Sequence, residues 1–272
     1  MNTNKFYIFL LFPLFSILIV FYSCSTTSDT VTPGPASFPT INLTVGSVYT
    51  YTIDSLIVGG GSTRLGNNVR NTILANGTYF DSTDVFMSQV IERDGSGLTV
   101  SNDTTFSKYN VATGKGYSYG FSQLFNPALT PKWDLLADFS VAFNTTWVID
   151  NINVILTIPQ GNINMTGPLT GQVVEETTIQ TTGSPAETIH CYRIELNTTL
   201  SGTIVIAPVT YTLTTTLTMD YYLGYSSSQY PGNPSGVVRL RNRTFTMTTN
   251  PNIGTFSFPG RDRILETYSI VD

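Results

Sequence analysis

Residues 203–222 read TIVIAPVTYTLTTTLTMDYY, the longest stretch of the chain in which apolar and hydroxyl side chains alternate. Successive side chains of an extended chain point to opposite faces, so every second residue shares a face. One face of this stretch would carry Tyr211, Leu213, Thr215, Leu217 and Met219. The period of two predicts one long β-strand with a buried face and a polar face.

The same alternation recurs along the chain. It is present in residues 48–53, 85–92, 147–158, 188–196, 237–247 and 264–271. Clusters of turn-forming residues lie between these segments, at 59–61, 76–77, 94–97, 183–185 and 231–234. Alternating runs bounded by Gly, Asn and Pro predict an all-β fold. Because the runs are long and their second face is polar but uncharged, we expect a single antiparallel, strongly curved sheet. Its shape would be that of a half-barrel or a barrel.

At most one short helix is expected. Thr130 and Pro131 could cap and start it, since proline is well tolerated at the first helical position. Trp133, Leu136 and Phe139 would then point inward. Elsewhere the chain is rich in aromatic residues and threonine, a composition typical of strands.

Residues 1–23 predict a signal peptide. Lys5 supplies a positive charge, an apolar stretch runs from Phe6 to Tyr22, and the small Ser23 follows it. These are the parts of a secretory signal. The apolar stretch is shorter than the roughly 20 residues that a spanning helix needs.

The end of that stretch, Val20-Phe21-Tyr22-Ser23-Cys24, resembles a lipobox of the relaxed kind found in Bacteroidota-like lipoproteins. The resemblance implies that Cys24 receives a thioether-linked diacylglycerol and becomes the new N-terminus. The membrane would then be a partner through this lipid anchor, which several acyl chains hold firmly. Two alternatives are an ordinary secretory signal with a chance cysteine, and a simple membrane anchor.

Residues 24–38 are mostly Ser, Thr, Pro, Gly and Ala, which predicts a flexible tether. Residues 39–272 are long enough for a single β-rich domain. Position 25 is Ser and not the Asp that commonly retains lipoproteins in the inner membrane, so an outer-membrane location is expected. Whether the domain faces the periplasm or the exterior is left open.

The charge of the chain argues against nucleic acid as a partner. The sequence has 13 Lys and Arg against 18 Asp and Glu, and loss of Lys5 with the signal leaves 12 against 18, a net charge of −6. Nucleic-acid binding calls for a basic surface. If Cys24 is lipidated, Cys191 has no cysteine to pair with, and we expect it to be a small buried hydrophobe.

No catalytic residue is assigned, although one motif is tempting. Gly116-Tyr117-Ser118-Tyr119-Gly120 fits G-x-S-x-G, and His190 is the one histidine of the chain. That motif requires a strained turn between a strand and a helix, whereas its flanks here are typical of a strand or a loop. The chain is therefore not expected to be an enzyme.

No metal or cofactor is expected either. His190 and Cys191 are adjacent in a predicted strand and point to opposite faces, so they cannot bind one ion together. Residues 94–97 read Asp-Gly-Ser-Gly, which predicts a hairpin turn because the repeated carboxylates of a calcium loop are missing. Glu175 and Glu176 also alternate across a strand and do not form a catalytic dyad.

Arg239, Arg241 and Arg243 share one face at strand spacing. The stripe is compatible with an anion or lipid-headgroup site. Charged residues are common on outward strand faces, so we favour the alternative that these arginines pair with acidic neighbours.

Several short motifs occur in an order that resembles Bacteroidota-type lipoproteins of unknown function. They are Trp133–Leu136, Asp138–Phe139, Trp147, Glu187–Ile194, Tyr221–Gly224 and Gly236–Arg239. Those lipoproteins are similar to LolA/LolB-type half-barrels, in which a curved antiparallel sheet wraps an apolar ligand. The chain departs from the pattern at Tyr225–Ser235, where an insertion precedes Gly236. A fold alone does not fix a function.

Two functions follow as hypotheses. The first is a non-enzymatic lipoprotein that binds a lipid or other apolar molecule in a cavity of its curved sheet, lined by residues such as Tyr211, Leu213 and Tyr222. The second is a structural or interaction module with a filled core, acting through exposed loops such as Tyr225–Ser235. A hydrolase that uses Ser118 is the least favoured.

Overall fold

A computed structural model of the chain describes residues 38–158, 161–252 and 254–271. The described residues form 14 strands and one four-residue 3-10 turn, Phe121–Leu124. The strands are β1 (Val48–Leu56), β2 (Ser62–Tyr79), β3 (Ser82–Arg93), β4 (Thr99–Asn110), β5 (Lys115–Tyr119), β6 (Trp133–Asp138), β7 (Trp147–Ile158), β8 (Gly161–Gln180), β9 (Thr188–Ile206), β10 (Val209–Gly224), β11 (Gly236–Asn242), β12 (Phe245–Asn250), β13 (Thr255–Phe258) and β14 (Gly260–Ser269).

All 14 strands belong to one antiparallel sheet. Its main path is β6-β5-β4-β3-β2-β1-β14-β11-β10-β9-β8-β7, and β12 with β13 branches from β10. The sheet curls until it is nearly closed, and its two edge strands, β6 and β7, approach each other. The indole N–H of Trp147 on β7 donates to the carbonyl oxygen of Leu135 on β6 at 2.9 Å. The prediction of a single, strongly curved antiparallel sheet is confirmed.

Two apolar clusters fill the fold. The larger includes Ile163, Leu169, Leu196 and Leu213 from the long strands β8 to β10. The smaller includes Ile53 on β1 and residues of β2, β9, β10, β11 and β14. Because alternate residues of one strand point to opposite faces, a strand such as β9 supplies different residues to the two clusters.

Two predicted strands are each broken into two. Residues 203–222 reverse direction at Ala207-Pro208, where β9 ends and β10 begins with Val209 opposite Ile206. Proline has no amide N–H for a strand ladder, which favours a turn there. Residues 237–247 likewise divide into β11 and β12, with Arg243 between them.

The predicted helix after Pro131 is wrong, because Trp133–Asp138 is strand β6. Pairing with β5 overrides the local helix signal. The predicted turn at Asn76-Gly77 is also wrong, since both residues lie inside β2. The chain turns instead at Phe80 and Asp81, whose φ angles are 51° and 58°. Left-handed conformations at both central residues are those of the type I′ turns that join paired strands.

Candidate functional site

The best-formed cavity of the described residues lies at a break in the sheet. Strand β10 pairs with β11 from Gly224 to Met219 and with β12 from Thr215 to Thr212. The three residues 216–218 fall between these two partners, where the amide of Arg243 donates to the carbonyl of Thr218 at 3.0 Å. The cavity lies at this change of partner, where Leu217, Thr218, Arg243 and Phe245 line it.

The cavity has a volume of about 400 Å³. Apolar side chains supply most of its wall: Leu65, Phe125, Leu169, Leu196, Leu217, Met219 and Phe245. Ser55, Thr198, Asn242, Arg243 and Arg261 add polar groups. An apolar wall with a few polar groups, and a volume of roughly 300–1,000 Å³, is typical of small-molecule sites.

The residues named from the sequence as cavity lining do not line this cavity. Tyr211 packs against the larger apolar cluster and Leu213 is buried within it, further along β10. Tyr222 belongs to the smaller cluster. The face predicted for residues 203–222 nevertheless contributes, because Leu217 and Met219 from that face line the cavity. The sequence did not reveal where β10 changes partner, so the position along the strand was missed.

A cationic cluster lies against the cavity on β14. Arg261 and Arg263 both pair with the buried Glu92 of β3, Arg261 through a close contact and Arg263 at 3.5 Å. The amide of Asn67 donates to the same carboxylate at 3.0 Å. Arg261 is opposite Asn242 of β11, which is opposite Met219, so Arg261 faces the cavity side of the sheet.

The charges of this cluster affect each other's ionisation. Burial opposes the ionised form of Glu92, but the hydrogen bonds from Asn67 and Arg261 and the two arginine charges outweigh it, so the pKa of Glu92 is lowered. Burial, followed by repulsion from Arg261, lowers the pKa of Arg263. The carboxylate therefore stays charged, while the two arginines repel each other.

Acidification is expected to destabilise the fold through Glu92. Its pKa in the folded chain lies below the ordinary value of 4.5, so its contribution to stability is complete above pH 4.5 and is lost as the pH falls through the folded-state pKa. Denaturant unfolding measured from neutral pH downward should show a shallower fall in stability for Glu92→Gln than for the wild type. Parallel curves for the two proteins would contradict this role.

The predicted arginine stripe is paired with acids, and its last member, Arg243, also lines the cavity. Arg239 donates two hydrogen bonds to Asp262, from Nε at 2.9 Å and from Nη2 at 2.6 Å, and Arg241 lies 3.8 Å from the same carboxylate. Arg243 donates two bonds to Asp220, at 2.8 and 2.6 Å, and also contacts Glu195. The favoured alternative, pairing with acidic neighbours, is confirmed.

No family model and no curated protein match the chain. Two solved structures are similar to it. One is a candidate lipoprotein from Parabacteroides distasonis ATCC 8503, with 14% identity, a TM-score of 0.45, and coverage of 85% of this chain and 97% of that chain. The other is a candidate exported protein with a YmcC-like fold from Bacteroides fragilis NCTC 9343, with 13% identity, the same TM-score, and coverage of 86% and 100%. The resemblance to LolA/LolB-type half-barrels stays a prediction.

Ser118 and His190 occupy unrelated surroundings. Ser118 lies within β5, opposite Ser107 on one side and Asp134 on the other, and not at a strained turn. The ring of His190 on β9 stacks on Tyr230 at 3.5 Å. Among the described residues, no hydrogen bond joins Ser118 to His190. That the chain is not an enzyme stays a prediction.

The remaining motifs have structural partners. Asp94 accepts hydrogen bonds from the amides of Ser96 and Leu98, at 2.9 and 3.0 Å, in the predicted hairpin turn. Glu175 pairs with Arg193 at 3.0 Å, whereas Glu176 accepts a hydrogen bond from the Tyr225 hydroxyl. The two adjacent carboxylates therefore serve different partners. In the part of the chain that the structure describes, no three His, Cys, Asp or Glu residues are grouped so that they could bind a metal ion.

Cys191 is fully buried, as predicted. Burial raises the pKa of its thiol to about 12, so the reactive thiolate is strongly disfavoured. The residue type was sufficient here because an unpaired cysteine behaves as a small hydrophobe.

The signal peptide, Cys24 and nearly all of the predicted tether lie outside the described residues. Phe38, the last residue assigned to the tether, packs close to Gly114. The carbonyl of Pro39 accepts a hydrogen bond from Tyr109 at 2.8 Å, and Thr40 forms a bridge with Ser226. Phe38, Pro39 and Thr40 thus contact the β-rich domain. The part of the chain that the structure describes has no helix with the length and apolar character of a membrane span.

Proposed function

We propose that this chain is an exported lipoprotein that binds an apolar small molecule, such as a lipid or acyl chain, without catalysis. The observation that carries the proposal is the cavity of about 400 Å³ at the break between β11 and β12. The cavity is partly open to solvent and its wall is mainly apolar, so an apolar ligand would remove that wall from water. Burial of an acyl chain there would contribute about 0.8 kcal/mol for each methylene removed from water.

The cavity wall supports a chain-like ligand more than a compact polar one. Leu169, Leu196 and Leu217 come from three neighbouring strands and all line the cavity. Phe125, after the 3-10 turn, and Phe245, at the start of β12, add aromatic surface. Such a surface offers dispersion contacts but few hydrogen bonds, which suits an alkyl chain.

Anchoring through Cys24 in the outer membrane is the second part of the proposal. It is supported by the signal-like residues 1–23 and the lipobox-like end at Cys24. The acyl chains on that cysteine would hold the protein at the membrane. Growth with labelled palmitate should label the full chain, and Cys24→Ala should abolish the label. The fractionation of outer from inner membranes tests the location.

Native mass spectrometry tests ligand binding most directly. Residues 32–272, produced in a bacterial periplasm, contain the whole described sheet and both apolar clusters. We expect an added mass that organic extraction removes. A bare mass, with no uptake when lipids are offered and with the far-ultraviolet circular dichroism of a β-protein, would contradict the carrier function.

That result would favour the alternative, an interaction module that acts through the β10–β11 connection, Tyr225–Ser235. Asn233 holds this connection in place by donating to the carbonyls of Tyr225 and His190, at 2.6 and 2.9 Å. Ser228 and Gln229 remain exposed at its tip. An ordered connection with an exposed polar tip is a favourable surface for a protein partner.

A further inference from the structure

The two charged clusters of the sheet differ in their balance. In one cluster, four arginines meet four carboxylates, and one of these arginines, Arg243, also lines the cavity. The members are Arg193, Arg239, Arg241 and Arg243 with Glu175, Glu195, Asp220 and Asp262. In the other cluster, the ion pairs of the described residues join Arg261 and Arg263 to the single carboxylate of Glu92. The cationic cluster therefore has one more guanidinium than carboxylate.

Arg261 is placed to offer its charge to a ligand. Its side chain lines the cavity and keeps 35% of its surface exposed. Its Nε is buried and has no hydrogen-bond partner in the described part of the chain. A buried donor without a partner is costly, and a guanidinium is shaped to bind carboxylate or phosphate oxygens.

A second polar group of the cavity also lacks a partner. Thr198 lines the apolar wall, is 1% exposed, and its hydroxyl has no hydrogen-bond partner among the described residues. It lies opposite Leu217 of β10 and Leu169 of β8. This hydroxyl is therefore an unsatisfied polar group buried in the wall of the cavity.

We propose that the ligand is an anionic amphiphile, whose oxyanion head binds Arg261 and whose alkyl chain lies along Leu169, Leu196 and Leu217. This inference rests on the proposed function, since it names the ligand class of the same cavity. A carboxylate head and a phosphate head share the chemistry that a guanidinium recognises. The apolar wall favours the alkyl chain, and the partly exposed, incompletely paired guanidinium of Arg261 favours the negative head.

Photo-crosslinking in membranes that contain the full chain tests the proposal. The probes are a diazirine analogue of palmitate and a diazirine analogue of cetyl alcohol, and labelled residues are mapped by mass spectrometry. The competitors are palmitate, cetyl phosphate, cetyl alcohol and inorganic phosphate. Arg261→Met removes the guanidinium, and Arg64→Met is the matched control because Arg64 is an exposed arginine paired with Asp54.

We expect both probes to label residues of the cavity. Palmitate and cetyl phosphate should displace the palmitate probe at roughly tenfold lower concentration than cetyl alcohol, as charge-assisted hydrogen bonding predicts. Arg261→Met should lose that preference while retaining labelling by the alcohol probe, which shows that the cavity is intact. Arg64→Met should behave as the wild type. If Arg261→Met loses the alcohol label as well, Arg261→Gln replaces it in the same comparison.

Three results would overturn the inference, and a fourth would also reject the proposed function. Equal competition by cetyl alcohol in the wild type would show that the head charge is irrelevant. An unchanged preference in the folded Arg261 variant would show that the charge acts elsewhere. Inorganic phosphate as effective as palmitate would indicate a free-anion site with no role for the chain. Absence of cavity labelling by either probe would instead reject the proposed function itself.

Discussion

Asp220→Asn is expected to lower the free energy of unfolding by about 3 kcal/mol, the cost of removing one partner of a buried ion pair. Asp220 is 1% exposed and accepts two hydrogen bonds from Arg243, while Arg193 lies 3.9 Å away. With an uncharged side chain at position 220, the positive charges of these two guanidiniums would lose a buried negative partner. The value lies at the lower end of the usual range because Arg243 keeps 37% of its surface in solvent. Urea unfolding followed by circular dichroism measures the effect.

Asp54→Asn is the matched control for this prediction. Asp54 pairs with Arg64, whose side chain is 49% exposed, so water can replace the lost carboxylate. Exposed pairs contribute about 0–1 kcal/mol, and the control should lose no more than that. Equal losses of unfolding free energy in the two variants would contradict the prediction. They would mean that the buried ion pairs of Asp220 stabilise the fold no more than an exposed pair does.

Gly167→Ala is expected to destabilise the chain by about 3 kcal/mol, because the new methyl group has no space. A Cβ at this position would lie 2.0 Å from the carbonyl oxygen of Thr199 and 2.9 Å from its carbonyl carbon. Both contacts are with backbone, so no side-chain rotation relieves them. Strands β8 and β9 would have to separate where both supply residues to the larger apolar cluster. Thermal and urea unfolding of the variant measure the loss.

Gly77→Ala provides the control in another long strand. Gly77 lies in β2, is half-buried like Gly167, and its Cβ would meet only the Tyr79 ring at an ordinary 3.5 Å. Alanine in place of glycine in an unobstructed strand is expected to be neutral or to stabilise by roughly 0.5–1 kcal/mol. If Gly167→Ala were as well tolerated as Gly77→Ala, the close approach of β8 to Thr199 would be disproved.

The sequence by itself determined the class of fold, the character of several residues and the export hypothesis. Alternation gave β7 its bounds, Trp147–Ile158, and the hydrophobic character of an unpaired cysteine predicted that Cys191 is buried. The Asp94 turn followed from its own side chain, which binds the amides of the next few residues. These features were predictable because strand periodicity and turn chemistry act between residues close in the chain. Cys24 rests on the sequence alone.

Tertiary structure decided how the strands pair and what they enclose. At the turn, the ring of Phe80 stacks on the ring of Tyr119, with 3.7 Å between the ring centroids. Tyr119 is distant in the chain, so local turn propensities do not include this contact. At the break beside the cavity, Arg243 donates to the carboxylate of Asp220, 23 residues earlier in the chain. The cationic cluster likewise joins Glu92 to Arg261, 169 residues away in the chain. A period of two fixes which residues share a face of a strand but not which strand lies beside it, because pairing is set by packing between distant segments.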